Sequence, residues 1–135
     1  MSYDRYRAVH DRSIADPEGF WLGAAEGIDW VTSPTKALEL HPDGSWTWFP
    51  GGTLNTSYNA LDRHIEAGFG DKTALIYDSA MTSTQRSISY RELRDEVAVF
   101  AGALARLGVE TGDRVVIYMP MVPRAAIAML ACARL

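Results

Sequence analysis

The apolar positions of this chain fall into a few distinct patterns, and each selects one kind of element. Leu54, Tyr58, Leu61 and Ile65 recur at steps of four, three and four, which lays one stripe along a helix. Thr53 or Asn55 can cap its start, and Gly68 can end it in a left-handed turn. Just upstream, the aromatic residues Trp46, Trp48 and Phe49 run into the breaker Pro50-Gly51-Gly52. This predicts an aromatic strand feeding through a tight glycine corner into an amphipathic helix. Nearer the start, Tyr6, Val9 and Ile14 among Arg5, Arg7 and Arg12 suggest a helix over 3–15. Asp16-Pro17-Glu18 then begins a second helix: Asp caps, Pro fits the first turn, and Glu favours the positive end of the dipole. Phe20, Trp21, Ala24, Ala25 and Ile28 share one of its faces. Residues 30–36 read as loop. The runs 38–40 and 46–49 flank Asp43-Gly44, a favoured turn pair, and so predict a small hairpin.

After Gly68 the pattern changes. Residues 73–77, TALIY, form a short apolar run between Asp71 and Asp78, as in a strand. Residues 79–87 are polar and without period, which predicts a surface loop, and 88–90 a brief extended piece. Ser89 and Glu92 make a capping-box pair. Leu93, Val97, Phe100, Leu104 and Leu107 then repeat at four, three, four and three, until Gly108 stops the helix. Residues 114–119, RVVIYM, are a near-continuous apolar run of the kind buried on both faces of a parallel sheet. Pro120 and Pro123 mark a turn, and 124–135 begins another helix. Strand, helix, strand, helix predicts an α/β layer fold with right-handed crossovers.

Residues 125–132 are apolar around the whole of that last helix, so something must cover every side. Ala133-Arg134-Leu135 offers no glycine, proline or polar cap. The expectation is a front piece of a longer protein, with the rest of the polypeptide covering the helix 124–135.

Composition narrows the class without naming it. At 135 residues the chain can bury one core, and 47% hydrophobic with 22% charged residues is ordinary for a globular protein. A formal charge of −4 disfavours nucleic acid. No apolar run reaches the roughly 18 residues of a membrane span, and the opening MSYDRYRAVHDR lacks an apolar signal region. The location expected on these grounds is the cytoplasm. A single cysteine, Cys132, excludes an intrachain disulfide and a cysteine-based metal cluster.

The candidate chemistry mostly dissolves. Gly51-Gly52 has no following Lys-Ser or Lys-Thr and reads as a turn rather than a phosphate cradle. Ser57, Asp62 and His64 invite a triad, but Ser57 and His64 on one helix stand about 10 Å apart along its axis. His10, His41 and His64 lack ligand spacing. Asp62, Arg63 and His64 are read as a structural network, Cys132 as a core thiol, and the tryptophans as packing. No residue is assigned to catalysis, to cofactor binding or to metal binding.

YMPMVPRAAIAMLACARL, residues 118–135, resembles the Tyr-Met-Pro-Met-x-Pro-x-Ala-x-x-x-Met-Leu-Ala-Cys-Ala-Arg segment of the AMP-forming short-chain acyl-CoA synthetases. Trp48, Phe49, Gly52, Leu54, Asn55, Asn59, Asp62, Arg63 and His64 match a second motif of that family. Ser89-Tyr90-x-x-Leu93 and Gly112-Asp113-x-Val115 fall where the family has them. Residues 59–64 with 74–79 look more like the propionate-activating than the acetate-activating members. Arg124 departs from the acidic or amide residue often found after that proline.

The resemblance implies a truncated α/β protein. An N-terminal helical cap of acetyl-CoA synthetase type would span 1–68, and the start of the adenylate-forming domain 69–135. It also implies a ligase that uses a short-chain carboxylate, ATP, Mg²⁺ and CoA. The family's phosphate loop and its later catalytic lysine have no counterpart here; Thr32-Ser33-Pro34-Thr35-Lys36 lacks glycines and comes too early. The 135-residue chain alone is thus expected to be inactive and to bind none of these cofactors tightly. No nucleic-acid or membrane partner is expected, and a homo-oligomer is allowed. The rival reading is a free-standing α/β binding or dimerisation module. A flavodoxin-like nucleotide binder is disfavoured, because the loop after Met119 holds two prolines and no glycine.

Overall fold

A computed structural model describes residues 3–135, which fall in two compact units divided between Leu54 and Asn55. In the first, α1 (Tyr3–Ala15) is followed at once by α2 (Pro17–Ala25). The Asp16 side chain accepts a 3.0 Å hydrogen bond from Gly19 N, and Pro17 occupies the first turn, as the sequence predicts. The predicted apolar face of α2 is only partly covered: Ala25 is buried, while Trp21 stays half-exposed and Ile28 lies beyond the helix.

Strands β1 (Leu38–Leu40) and β2 (Trp46–Trp48) pair antiparallel around Gly44, whose φ of 84° is the left-handed geometry of the turn. The aromatic residues close this unit. Trp21 meets Trp48 edge to face at 5.3 Å, and Phe49 stands 5.5 Å from Trp30 and 5.7 Å from Trp48. Gly51-Gly52 is a packing corner. Gly51 takes φ 73°, and a Cβ on Gly52 would lie 2.9 Å from the Trp30 ring.

The second unit opens with a helix over 56–69 whose register departs from the expected regular one. Tyr58–Asp62 and Ile65–Phe69 are π-helical turns. Asn55, not Thr53, caps the start: its Oδ1 accepts from Tyr58 N at 2.9 Å. Gly68 has the predicted left-handed φ, 85°.

Strands β3 (Thr73–Ser79) and β4 (Thr84–Ser89) form an antiparallel hairpin. This corrects the reading of residues 79–87 as loop. The side chains of 84–87 are all exposed, so no apolar alternation marks the strand; its backbone ladder to β3 holds it. Helix α3 (Tyr90–Arg106) begins on the predicted capping box, with Ser89 Oγ accepting from Glu92 N and the Glu92 carboxylate accepting from Ser89 N. Ser89→Ala is expected to cost about 1 kcal/mol of stability, read as a lowered thermal midpoint. A change within error would remove the cap from the stabilising set.

The buried stripe of α3 is Leu93, Val97, Ala101 and Leu104. Phe100 only flanks the core, and Leu107 is 82% exposed at the C-cap, where the last turn points it outward. Helix α4 (Pro123–Cys132) presents Ile127, Ala128 and Ala131 to the interior. Leu61, Ile88, Leu93, Val97, Ala101, Leu104, Ile127 and Ala131 make one core cluster.

Residues 114–119 differ most from expectation. They belong to no helix or strand and are unpaired among the described residues, with Val116 91% and Tyr118 100% exposed. A buried parallel strand needs a neighbour on each edge, and neither β3 nor β4 pairs with this run. Both ladders seen here are antiparallel, so the expected parallel pairing does not occur among the described residues.

Candidate functional site

Polar side chains converge in one place, where the helix over 56–69 meets the end of α4. Arg134 clasps Asp62 with two parallel hydrogen bonds, Nη1 to Oδ2 at 2.8 Å and Nη2 to Oδ1 at 2.9 Å. The planar guanidinium matches the carboxylate fork, which fixes direction as well as distance. Arg134 O also accepts from Asn55 Nδ2 at 3.3 Å. A ladder climbs the helix beside it. Asn59 Nδ2 donates to Asn55 O at 3.2 Å, and Arg63 Nη1 donates to Asn59 Oδ1 at 3.0 Å. His64 stands 5.1 Å from the Tyr90 ring.

The pair is partly buried, with 16% of the Asp62 side chain and 29% of the Arg134 side chain exposed. The hydrogen bonds from Arg134 hold the Asp62 carboxyl below its usual range, and Asp62 in turn raises Arg134. Both groups are locked in their charged forms. The pair fastens the helix over 56–69 to the end of α4.

Asp62, Arg63 and His64 reach three different partners: Asp62 meets Arg134, Arg63 meets Asn59, and His64 stands against Tyr90. The structure leaves Ser57 outside any triad: Ser57 is fully buried, and its hydroxyl has no partner among the described residues. Nothing in the sequence signals that orphan. Arg134 was also missed as the partner of Asp62, because 72 residues separate them and no local pattern couples them. Cys132 is partly buried against the core cluster. Among the described residues no group of three or more His, Cys, Asp or Glu converges to hold a metal ion. Nor is any helix there long and apolar enough to cross a membrane.

The residues of the clasp are those of the two matched motifs, and the comparisons divide the chain between two adjacent families. Residues 6–60 match the acetyl-coenzyme A synthetase N-terminus, and residues 61–135 match the AMP-binding enzyme family. The chain belongs to the AMP-binding enzyme family. Among the relatives of this family member, a rat protein named acyl-CoA synthetase short-chain family member 3, mitochondrial, is 54% identical over 96% of the chain and 19% of its own length. An acetyl-coenzyme A synthetase of Syntrophus aciditrophicus is 47% identical over 98% of the chain and 21% of its own length. The solved structure of an acetoacetyl-CoA synthetase from Streptomyces lividans superposes on 95% of the chain and 20% of its own, with a TM-score of 0.81 and 35% identity. The α/β fold expected of this family is therefore the fold observed. The chain spans about a fifth of the length of these relatives.

Proposed function

We propose that this chain is the N-terminal part of an AMP-forming acid–thiol ligase that activates a short-chain carboxylate, propionate in preference to acetate. The carboxylate attacks the α-phosphate of ATP and expels pyrophosphate; the CoA thiol then attacks the acyl-adenylate carbonyl and releases AMP. The observation that carries the reading is the unbroken match of residues 6–135 to two adjoining families, the acetyl-coenzyme A synthetase N-terminus and the AMP-binding enzyme. The preference for propionate rests on residues 59–64 and 74–79, which lie in the helix over 56–69 and in β3. We assign residues 1–68 to the cap and 69–135 to the start of the adenylating domain, and we place the protein in the cytoplasm.

The described residues do not fit Mg²⁺, since no set of acidic ligands converges among them, and no step is assigned to a metal in this chain. The chain's own contribution to the ligase is architectural. Asp62–Arg134 and the Asn55–Asn59–Arg63 ladder tie the motif helix to the end of α4. We assign no catalytic residue within 1–135. Purified residues 1–135 are expected to show no propionate-dependent ATP–pyrophosphate exchange. The full-length polypeptide is expected to show it, with kcat/KM for propionate about tenfold above acetate, a difference that one methylene in a pocket supplies. Exchange by the 135-residue chain would overturn the division of labour, and a preference for acetate the choice of substrate.

A further inference from the structure

We propose that the pocket shared by the β3–β4 hairpin, α3 and the start of α4 binds a medium-chain carboxylate, its head on Arg124 and its tail against Val99 and Phe100. Two adjoining cavities make up the pocket, of about 360 Å³ and about 550 Å³, and Glu96, Arg124 and Ile127 line both. Their characters differ. Tyr77, Thr84 and Arg86 line the smaller one and supply hydroxyl and guanidinium donors. The hairpin register puts these three on one face, since Tyr77 stands opposite Arg86 and Thr84 lies two residues from Arg86 along β4. Val99, Phe100 and Met119 line the larger one and give it a hydrocarbon wall.

The acids of the lining are already matched. Glu96 is held by Arg86 at 2.7 Å, and Asp95 by Arg94 at 2.7 Å. The Arg124 guanidinium has neither a hydrogen bond nor an ion pair among the described residues, so the pocket keeps one uncompensated positive charge. Its place in the helix adds to the demand for an anion. Arg124 sits in the first turn of α4, which holds no acidic residue, and the N-cap Val122 makes no side-chain hydrogen bond. A cation there opposes the helix dipole, and an anion beside it offsets that cost. Arg124 is also where this chain departs from the family motif, so the site belongs to this chain and is not inherited with the fold.

These features select the ligand. One free guanidinium matches one carboxylate, which its planar fork can hold by two parallel hydrogen bonds. An inorganic anion leaves the apolar cavity unfilled, and an uncharged hydrocarbon leaves Arg124 unpaired. A concave site with apolar walls and a few converging polar groups suits a molecule that is both. A carboxylate with a hydrocarbon tail meets each condition.

Calorimetric titration of the full-length polypeptide with octanoate, without ATP or CoA, tests the assignment. Octanoate is expected to bind the wild type, and Arg124→Glu to weaken binding at least about tenfold, with Arg124→Lys in between. Val99→Asp sets a charge among the tail contacts at a position 74% exposed, and is expected to weaken binding about tenfold as well. Both positions are exposed, so the variants are expected to stay folded by circular dichroism. No binding to the wild type would overturn the proposal. So would equal binding by Arg124→Glu, which places octanoate elsewhere. A loss with Arg124→Glu but none with Val99→Asp would overturn it too, because the site then takes a head without a tail. Calorimetry reads binding without turnover, so octanoate binding by an inactive protein keeps this site and loses the ligase, and the converse keeps the ligase alone.

Discussion

Ile88→Ala is expected to destabilise the second unit by about 3–4 kcal/mol, the cost of an aliphatic deletion at a site that cannot collapse. Ile88 is fully buried on β4 and belongs to the cluster that holds Leu61, Leu93 and Val97. It faces α3 from the strand, so its removal opens a void between two elements instead of thinning one edge. Urea titration should show a lower midpoint with an unchanged slope. Ile88→Val should cost about 1 kcal/mol, and Val116→Ala, at a position 91% exposed, close to nothing. A loss below about 1 kcal/mol for Ile88→Ala would mean that the core is centred elsewhere.

Asp62→Asn is expected to cost about 2–3 kcal/mol at neutral pH, toward the lower end for a broken buried pair because both partners keep some contact with water. It leaves the Arg134 fork facing an amide that can fill only one of its two bonds. The pH dependence carries a definite sign. Because Arg134 depresses the folded pKa of Asp62, the contribution is complete above the unfolded value near 3.8 and is lost as pH falls through the lower folded one. The gap between wild type and Asp62→Asn should thus be flat from pH 5 to 8 and narrow below about pH 4. A gap that stays constant down to pH 2 would show that the carboxylate charge is not what the clasp uses. Arg134→Lys separates charge from geometry, since an ammonium keeps the charge and loses the bidentate fork. It should recover less than half of the Arg134→Ala loss.

Much of this architecture was legible because it is set locally. Asp16-Pro17, the Ser89–Glu92 box, the Asp43-Gly44 turn and the left-handed Gly68 are each specified within four residues, and each stands where its pattern places it. The errors share one cause. Residues 84–87 of strand β4 were invisible because their ladder needs only backbone groups, and their exposed side chains were free to be polar. Leu107 fell on the periodic stripe but lies past the point where the helix remains covered. The run 114–119 has the apolar composition of a buried strand, yet a strand exists only with a partner, and none pairs with it among the described residues.

For the polar cluster the division is sharper. The motif from Asn55 to His64 marked the helix that matters, and the spacing of Ser57 and His64 was enough to discard a triad on it. Family membership was likewise readable from two ordered motifs, since recognition of that kind needs only identity and register. Only the tertiary structure supplied Arg134 as the partner of Asp62 and the orphan hydroxyl of Ser57. Caps and turns are decided by neighbours a few bonds away, which a sequence states directly. Ion pairs between distant helices, and the open edges of strands, depend on how the chain returns on itself, which no local pattern encodes.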